Sequence, residues 1–185
     1  YGPSGCGKSS LVRAGLLPKL ATHVHPIYVE ASPDRTEARL LRKLLRRYPE
    51  LPGNGNLTDC LAALRCGRGP AEAAKVLLVI DQFEQWLHGN RKEDNTELSR
   101  ALRQCDGGRV QCIVMVRDNF WMAVTRFLRD LEVRLLDGHN CAAVDLFPER
   151  HARKVLAAFG RAFGALPEQY DKASKSQREF LRQSV

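Results

Sequence analysis

Gly2-Pro3-Ser4-Gly5-Cys6-Gly7-Lys8-Ser9 satisfies G-x-x-x-x-G-K-[ST] at every fixed position. Glycines at this spacing let a loop wrap closely, so that successive backbone N–H groups converge on phosphate oxygens. Lys8 supplies a point charge that reaches the outer phosphates. Ser9 offers a hydroxyl to a hard divalent cation such as Mg²⁺. A helix expected from about Lys8 to Leu16 directs its positive end at the same phosphates. The candidate nucleotide contacts are therefore Gly2, Ser4, Gly5, Cys6, Gly7, Lys8, Ser9 and Ser10.

Working outward, the next decisive stretch is Val76-Leu-Leu-Val-Ile80, a continuous apolar run that ends in Asp81. Such a run reads as a strand covered on both faces, the pattern of a parallel sheet under helices. A carboxylate at its carboxyl end is the expected second half of a phosphate–metal site, so Ser9 and Asp81 are the candidate Mg²⁺ residues. Glu84 follows three residues later and is placed to orient or deprotonate a water. A second buried strand, Val110 to Val116, ends in Arg117, whose guanidinium is placed to sense a γ-phosphate. An ion pair of Arg117 with Asp118 or Glu84 is the structural alternative. Glu84 and Arg117 are the candidate catalytic residues.

The remaining elements alternate. A strand is expected over Val24–Glu30, with Pro26 pointing to a sheet edge. An amphipathic helix opens at Ser32-Pro33-Asp34, with Leu40, Leu41, Leu44, Leu45 and Tyr48 on one face and Arg39, Arg42, Lys43, Arg46 and Arg47 on the other. Loops at 51–56 and 67–70 flank a short helix from Leu57. A helix is expected over 95–104 and another over 119–131, the latter capped by Asp118. Leu11, Ala14, Gly15 and the leucines after them are expected against the sheet. A last short strand over 142–147 precedes a helix at Glu149–Phe163 and a weaker one at 168–184. Strands alternating with helices define a parallel α/β sheet.

The chain has 185 residues, 44% hydrophobic and 27% charged, enough for one sizeable core. No apolar run approaches the roughly 20 residues that span a bilayer. Net charge is +8. Most of the excess lies in residues 34–50 and 147–185, a balance that permits contact with acidic partners but is more often a solvated helix face. Six cysteines carry no C-x-x-C and no zinc spacing, so reduced thiols and a cytoplasmic setting are expected. The five histidines show no ligand spacing.

A strand and helix between the phosphate loop and the Asp81 strand, followed by the strand ending in Arg117, resemble the additional-strand class of P-loop ATPases. Three blocks are more specific: Gly2 through Pro18, Asp81-Gln-Phe-Glu-Gln-Trp86, and Val114-Met-Val-Arg-Asp-Asn-Phe-Trp121. They resemble the novel STAND NTPase family. The resemblance implies an α/β P-loop core over residues 1–147, with its first strand upstream of Tyr1, and the start of a helical lid over 148–185. It further implies a regulated ATP–Mg²⁺ switch, a slow ATPase, alternating between ATP and ADP. Kinase, repeat or effector modules attached in the parent chain and nucleotide-dependent self-association belong to the same picture. Many related ATPases carry glutamate directly after the aspartate. Gln82 stands there in this chain, which leaves Glu84 as the fallback. The alternative is a nucleic-acid-stimulated ATPase using the basic helices, without the aromatic-interleaved groove that reading calls for.

Overall fold

The computed structural model describes residues 1–52, 55–68, 74–90, 95–167, 169 and 172–183. The expected loops at 51–56 and 67–70 and the expected helix over 168–184 lie partly outside those residues. The described residues group into two compact units, Tyr1–Val144 and Asp145–Val185.

In the first unit, strands β1 (Val24–Glu30), β2 (Lys75–Asp81) and β3 (Val110–Val114) pair in parallel in the order β1-β2-β3. The apolar run of β2 lies at the centre and is buried from Val76 to Asp81, as a strand covered on both faces requires. β1 is an edge strand, where Pro26 costs no ladder hydrogen bond. The register Glu30↔Asp81 aligns the carboxyl ends of β1 and β2.

The sheet continues past β3. Gly2 bridges Arg117 in the parallel sense, through Gly2 N to Val116 O (3.3 Å) and Asp118 N to Gly2 O (3.2 Å). On its other side Tyr1 donates to Ala142 O (2.9 Å) and accepts from Val144 N (2.7 Å). Of the strand expected at 142–147, only this pairing forms. The extended order is β1, β2, β3, Tyr1–Gly2, then 142–144. The strand ending near Arg117 therefore lies between the phosphate loop and β2, the arrangement expected of the additional-strand class.

Alternate positions on β2 serve different layers. Val76, Leu78 and Ile80 join the larger core under α2 (Thr36–Arg47), α3 (Leu57–Arg65), α4 (Phe83–Gly89), α5 (Glu97–Leu102) and α6 (Trp121–Asp130). Its fully buried members include Leu40, Leu44, Leu61, Phe83 and Leu98. Leu77 and Val79 face the opposite way, against Val12 and Met115. This second layer is the helix after the phosphate loop. It begins as α1 (Lys8–Ser10), widens to π pitch over Leu11–Leu16 and tightens to 3-10 over Leu17–Lys19.

The widening corrects one expectation. Val12, Leu16, Leu17 and Leu20 pack on the sheet, whereas Leu11 is 55% exposed and Ala14 is exposed. A π turn lengthens the repeat beyond 3.6 residues, so buried positions recur every four. A second correction concerns Asp118. Its Oδ1 accepts from Asn119 N (2.9 Å) within a short 3-10 turn at Asp118–Phe120, and α6 begins only at Trp121.

The outer edge of β1 is covered by the basic helix face. Arg39 donates to Glu30 O (2.9 Å) and Lys43 to Tyr28 O (2.6 Å), so two of the five cations on α2 close carbonyls that an edge strand leaves open. The second unit contains α7 (Glu149–Ala162) and α8 (Lys175–Gln183). Within the helix expected at Glu149–Phe163, Phe159 and Phe163 are exposed while Ala157 is buried.

Candidate functional site

The phosphate loop leaves the sheet at Gly2 and re-enters regular structure when Leu11 N donates to Gly7 O at 2.8 Å. Gly5 and Gly7 adopt φ of 82° and 88°, left-handed backbone that favours glycine, and a Cβ built on either meets nothing within 4 Å. The loop thus presents its main chain to open space. Lys8 folds back over this curl: Nζ donates to Gly2 O (2.6 Å) and Pro3 O (2.8 Å) and lies 3.5 Å from Cys6 Sγ. Cys6 is buried and faces the inside of the loop; Ser4, Gly5 and Ser10 are exposed, and Ser9 is half-buried.

Gly2 is closely confined. A Cβ there would lie 1.9 Å from Val144 O, a backbone atom with no flexible end to yield. Gly2→Ala is expected to destabilise the fold by about 3 kcal/mol, the upper range for overpacking against rigid neighbours. Thermal unfolding checks this; an unchanged midpoint would show that the 142–144 segment does not abut the loop.

Asp81 is 3% exposed and stands at the carboxyl edge of the sheet, beside the 115–117 segment and the Gly2 bridge. The alternation along β2 puts it in the layer of Leu77 and Val79, the side covered by Val12. Ser9 precedes Val12 by three residues and shares its helix face. Asp81 thus faces the layer of the helix that carries Ser9. Asp81 Oδ1 accepts from Gln82 N (2.8 Å), and Oδ2 accepts from the Tyr28 hydroxyl. Burial, then the bond to Asp81, push the Tyr28 phenol up to about 12. Tyr28 escaped the sequence reading. Its signal was positional: it lies two residues before the end of an edge strand, on the face that β1 shares with Asp81.

Glu84 and Arg117 are brought together as an ion pair. Glu84 is 4% exposed; its Oε1 lies 3.1 Å from Arg117 Nε, and its Oε2 accepts from Arg117 N at 3.3 Å. The turn that delivers Glu84 depends on Gln82, held at φ 53° in the left-handed region. Phe83 N then donates to Met115 O (2.9 Å), which draws the start of α4 across to the β3 side. Of the two ion-pair partners considered for Arg117, Glu84 is the one observed.

The donor set suits a small hard cation. One carboxylate, one hydroxyl and the oxygens of a bound phosphate chain match how Mg²⁺ is held in nucleotide sites. The open space over Gly5 and Gly7 leaves room for phosphate above the loop amides. Among the described residues no group of three or more His, Cys, Asp or Glu is arranged to hold a metal. None of their helices is long and apolar enough to cross a membrane.

Sheet order, loop and strand-end carboxylate define an α/β P-loop NTPase fold. Comparison with solved structures agrees. The Aeropyrum pernix ORC2 protein, solved in ADPNP–ADP complexes, aligns with a TM-score of 0.59 at 19% identity over 87% of this chain and 44% of that one. Drosophila ORC bound to DNA aligns with a TM-score of 0.62 at 21% identity over 87% of this chain and 40% of that one. The chain therefore spans less than half the length of these structural relatives, and at such identity they share its fold alone. The family model described as Novel STAND NTPase 1 matches residues 1–164, and the chain belongs to that family. No curated protein matches it.

Proposed function

We propose that this chain is the ATP-binding part of a regulatory switch, which binds ATP with Mg²⁺, hydrolyses it slowly and controls signalling or effector modules attached in the parent protein. The observation that carries this reading is the placement of Asp81 on the β2 face of Leu77 and Val79, which Val12 of the helix after the phosphate loop covers, at the edge where that loop departs. The loop amides from Gly5 to Ser9 would bind the β- and γ-phosphates, and Lys8 would leave Gly2 O and Pro3 O to join them. Ser9 and Asp81 would hold Mg²⁺, which supplies charge neutralisation at the phosphates when bound.

Glu84 gives one oxygen to the Arg117 guanidinium and the other to its amide. That engagement fits a slow enzyme, because Glu84 can act on a water only as the pair loosens. It also fixes Arg117 beside Gly2, where its guanidinium would register a γ-phosphate electrostatically. The Asp145–Val185 unit would serve as the beginning of a lid whose contact with the core depends on the nucleotide. A cytoplasmic setting and nucleotide-dependent self-association belong to this proposal.

The alternative, a nucleic-acid-stimulated ATPase, rests on α7 and α8, where Arg150, Lys154, Arg161, Lys175 and Arg178 line one groove. The use of Arg39 and Lys43 to close β1 argues against the same role for α2. Calorimetric titration with ATP in Mg²⁺, followed by turnover with and without duplex DNA, tests both readings. The expected result is Mg²⁺-dependent binding and slow hydrolysis indifferent to DNA. No binding rejects the site; strong stimulation by DNA, lost steeply with salt, establishes the alternative.

A further inference from the structure

We infer that Tyr28 is a positioning residue for the metal-facing carboxylate: its hydroxyl holds Asp81 by Oδ2 while Arg13, lying over its ring, ties that hold to the helix behind the phosphate loop. The inference rests on the ATP–Mg²⁺ reading of the site given above.

Asp81 is buried, and its two oxygens are treated differently. Oδ1 is bonded to the amide of its own neighbour Gln82, so local backbone geometry fixes it. Oδ2 is bonded to a side chain 53 residues earlier, on a different strand. The register makes this pairing inevitable once β1 and β2 align: Tyr28 stands opposite Val79 and Glu30 opposite Asp81, so Tyr28 lies diagonally across from the carboxylate on one face. The ring is anchored as well. The Tyr28 backbone carbonyl accepts from Lys43 Nζ at 2.6 Å, which fixes the main chain that carries the ring, and the Arg13 guanidinium carbon sits 5.3 Å from the ring centroid. Arg13 also reaches Glu30 Oε1 at 4.0 Å. The chain Arg13–Tyr28–Asp81 thus connects the helix that carries Ser9 to the strand end that carries the second candidate cation contact.

A ligating carboxylate that accepts a bond from a fixed neighbour is held in one rotamer, and loss of such outer partners typically costs roughly 10–100-fold in metal affinity. Tyr28 touches neither phosphate nor metal in this scheme and acts through Asp81. Its effect should therefore appear only when the cation is present.

The test is Tyr28→Phe, which keeps the ring, its packing and the Arg13 contact while deleting the hydroxyl. ATP affinity of the whole chain is measured by calorimetry in Mg²⁺ and again in EDTA, for the original and variant proteins. The expected result is a loss of roughly tenfold in Mg²⁺ with EDTA affinity unchanged. Asp81→Asn should remove the dependence on Tyr28, so the double variant binds as Asp81→Asn alone does. Equal losses in both buffers, no loss in either, or tighter binding in Mg²⁺ would overturn the inference. If the original protein shows no Mg²⁺-dependent ATP binding, the site assignment itself fails, which is distinct from a silent Tyr28→Phe.

Discussion

Replacing Lys8 by alanine is expected to weaken ATP binding by roughly 100-fold or more. Charge-assisted hydrogen bonds contribute about 1.5–3 kcal/mol each, and in the proposed site Lys8 would give two of them to the phosphates. The structure adds a second consequence. Nζ already donates to Gly2 O and Pro3 O, so the side chain also holds the curl of the loop. Its removal is expected to lower stability by about 1 kcal/mol, since Gly2 O still accepts from Asp118 N and Pro3 O lies in a partly exposed loop. Calorimetry and thermal unfolding on the same sample separate the two effects. Unchanged affinity would reject the assignment of the loop as the phosphate site.

The second large effect belongs to Arg117. Arg117→Ala leaves Glu84 with only a backbone amide, in a position 4% exposed. Removing one partner from a buried pair costs about 3–5 kcal/mol. The lower end applies, because the Arg117 side chain is itself 46% exposed and water can approach from that side. Glu84→Gln keeps one acceptor oxygen but turns an NH2 donor towards a second donor, and should cost about 1–3 kcal/mol. If the pair acts as proposed, Glu84→Gln also slows hydrolysis at least tenfold and retains ATP, and Arg117→Ala loses discrimination between ATP and ADP. Denaturant unfolding of both single variants and the double variant gives the coupling. Simple additivity would show that the pair contributes nothing as a unit, and undiminished hydrolysis in Glu84→Gln would remove Glu84 from the chemistry.

The parts of this molecule that could be read in advance are those where local pattern and final environment agree. The apolar run before Asp81 admits only a doubly covered strand, and Pro26 marks an edge that the sheet confirms. The loop motif carries its own geometry in Gly5 and Gly7. Three features were less accessible, each for a reason of distance or pitch. The Tyr28 bond depends on register between strands far apart in sequence. The packing face after the loop shifted because Leu11–Leu16 winds at π pitch, which a 3.6-residue template cannot anticipate. The 142–144 pairing falls to Tyr1, 141 positions earlier in the sequence than Ala142, so no local pattern could set its length.

That last pairing has a thermodynamic corollary. The main chain that pairs both with the segment after β3 and with 142–144 also leads into the phosphate loop. Whatever grips the loop therefore clamps the seam of the sheet, so a ligand at saturating concentration should raise the melting temperature of the whole first unit. Heating curves would then report occupancy, with the mid-sheet splice as the transducer.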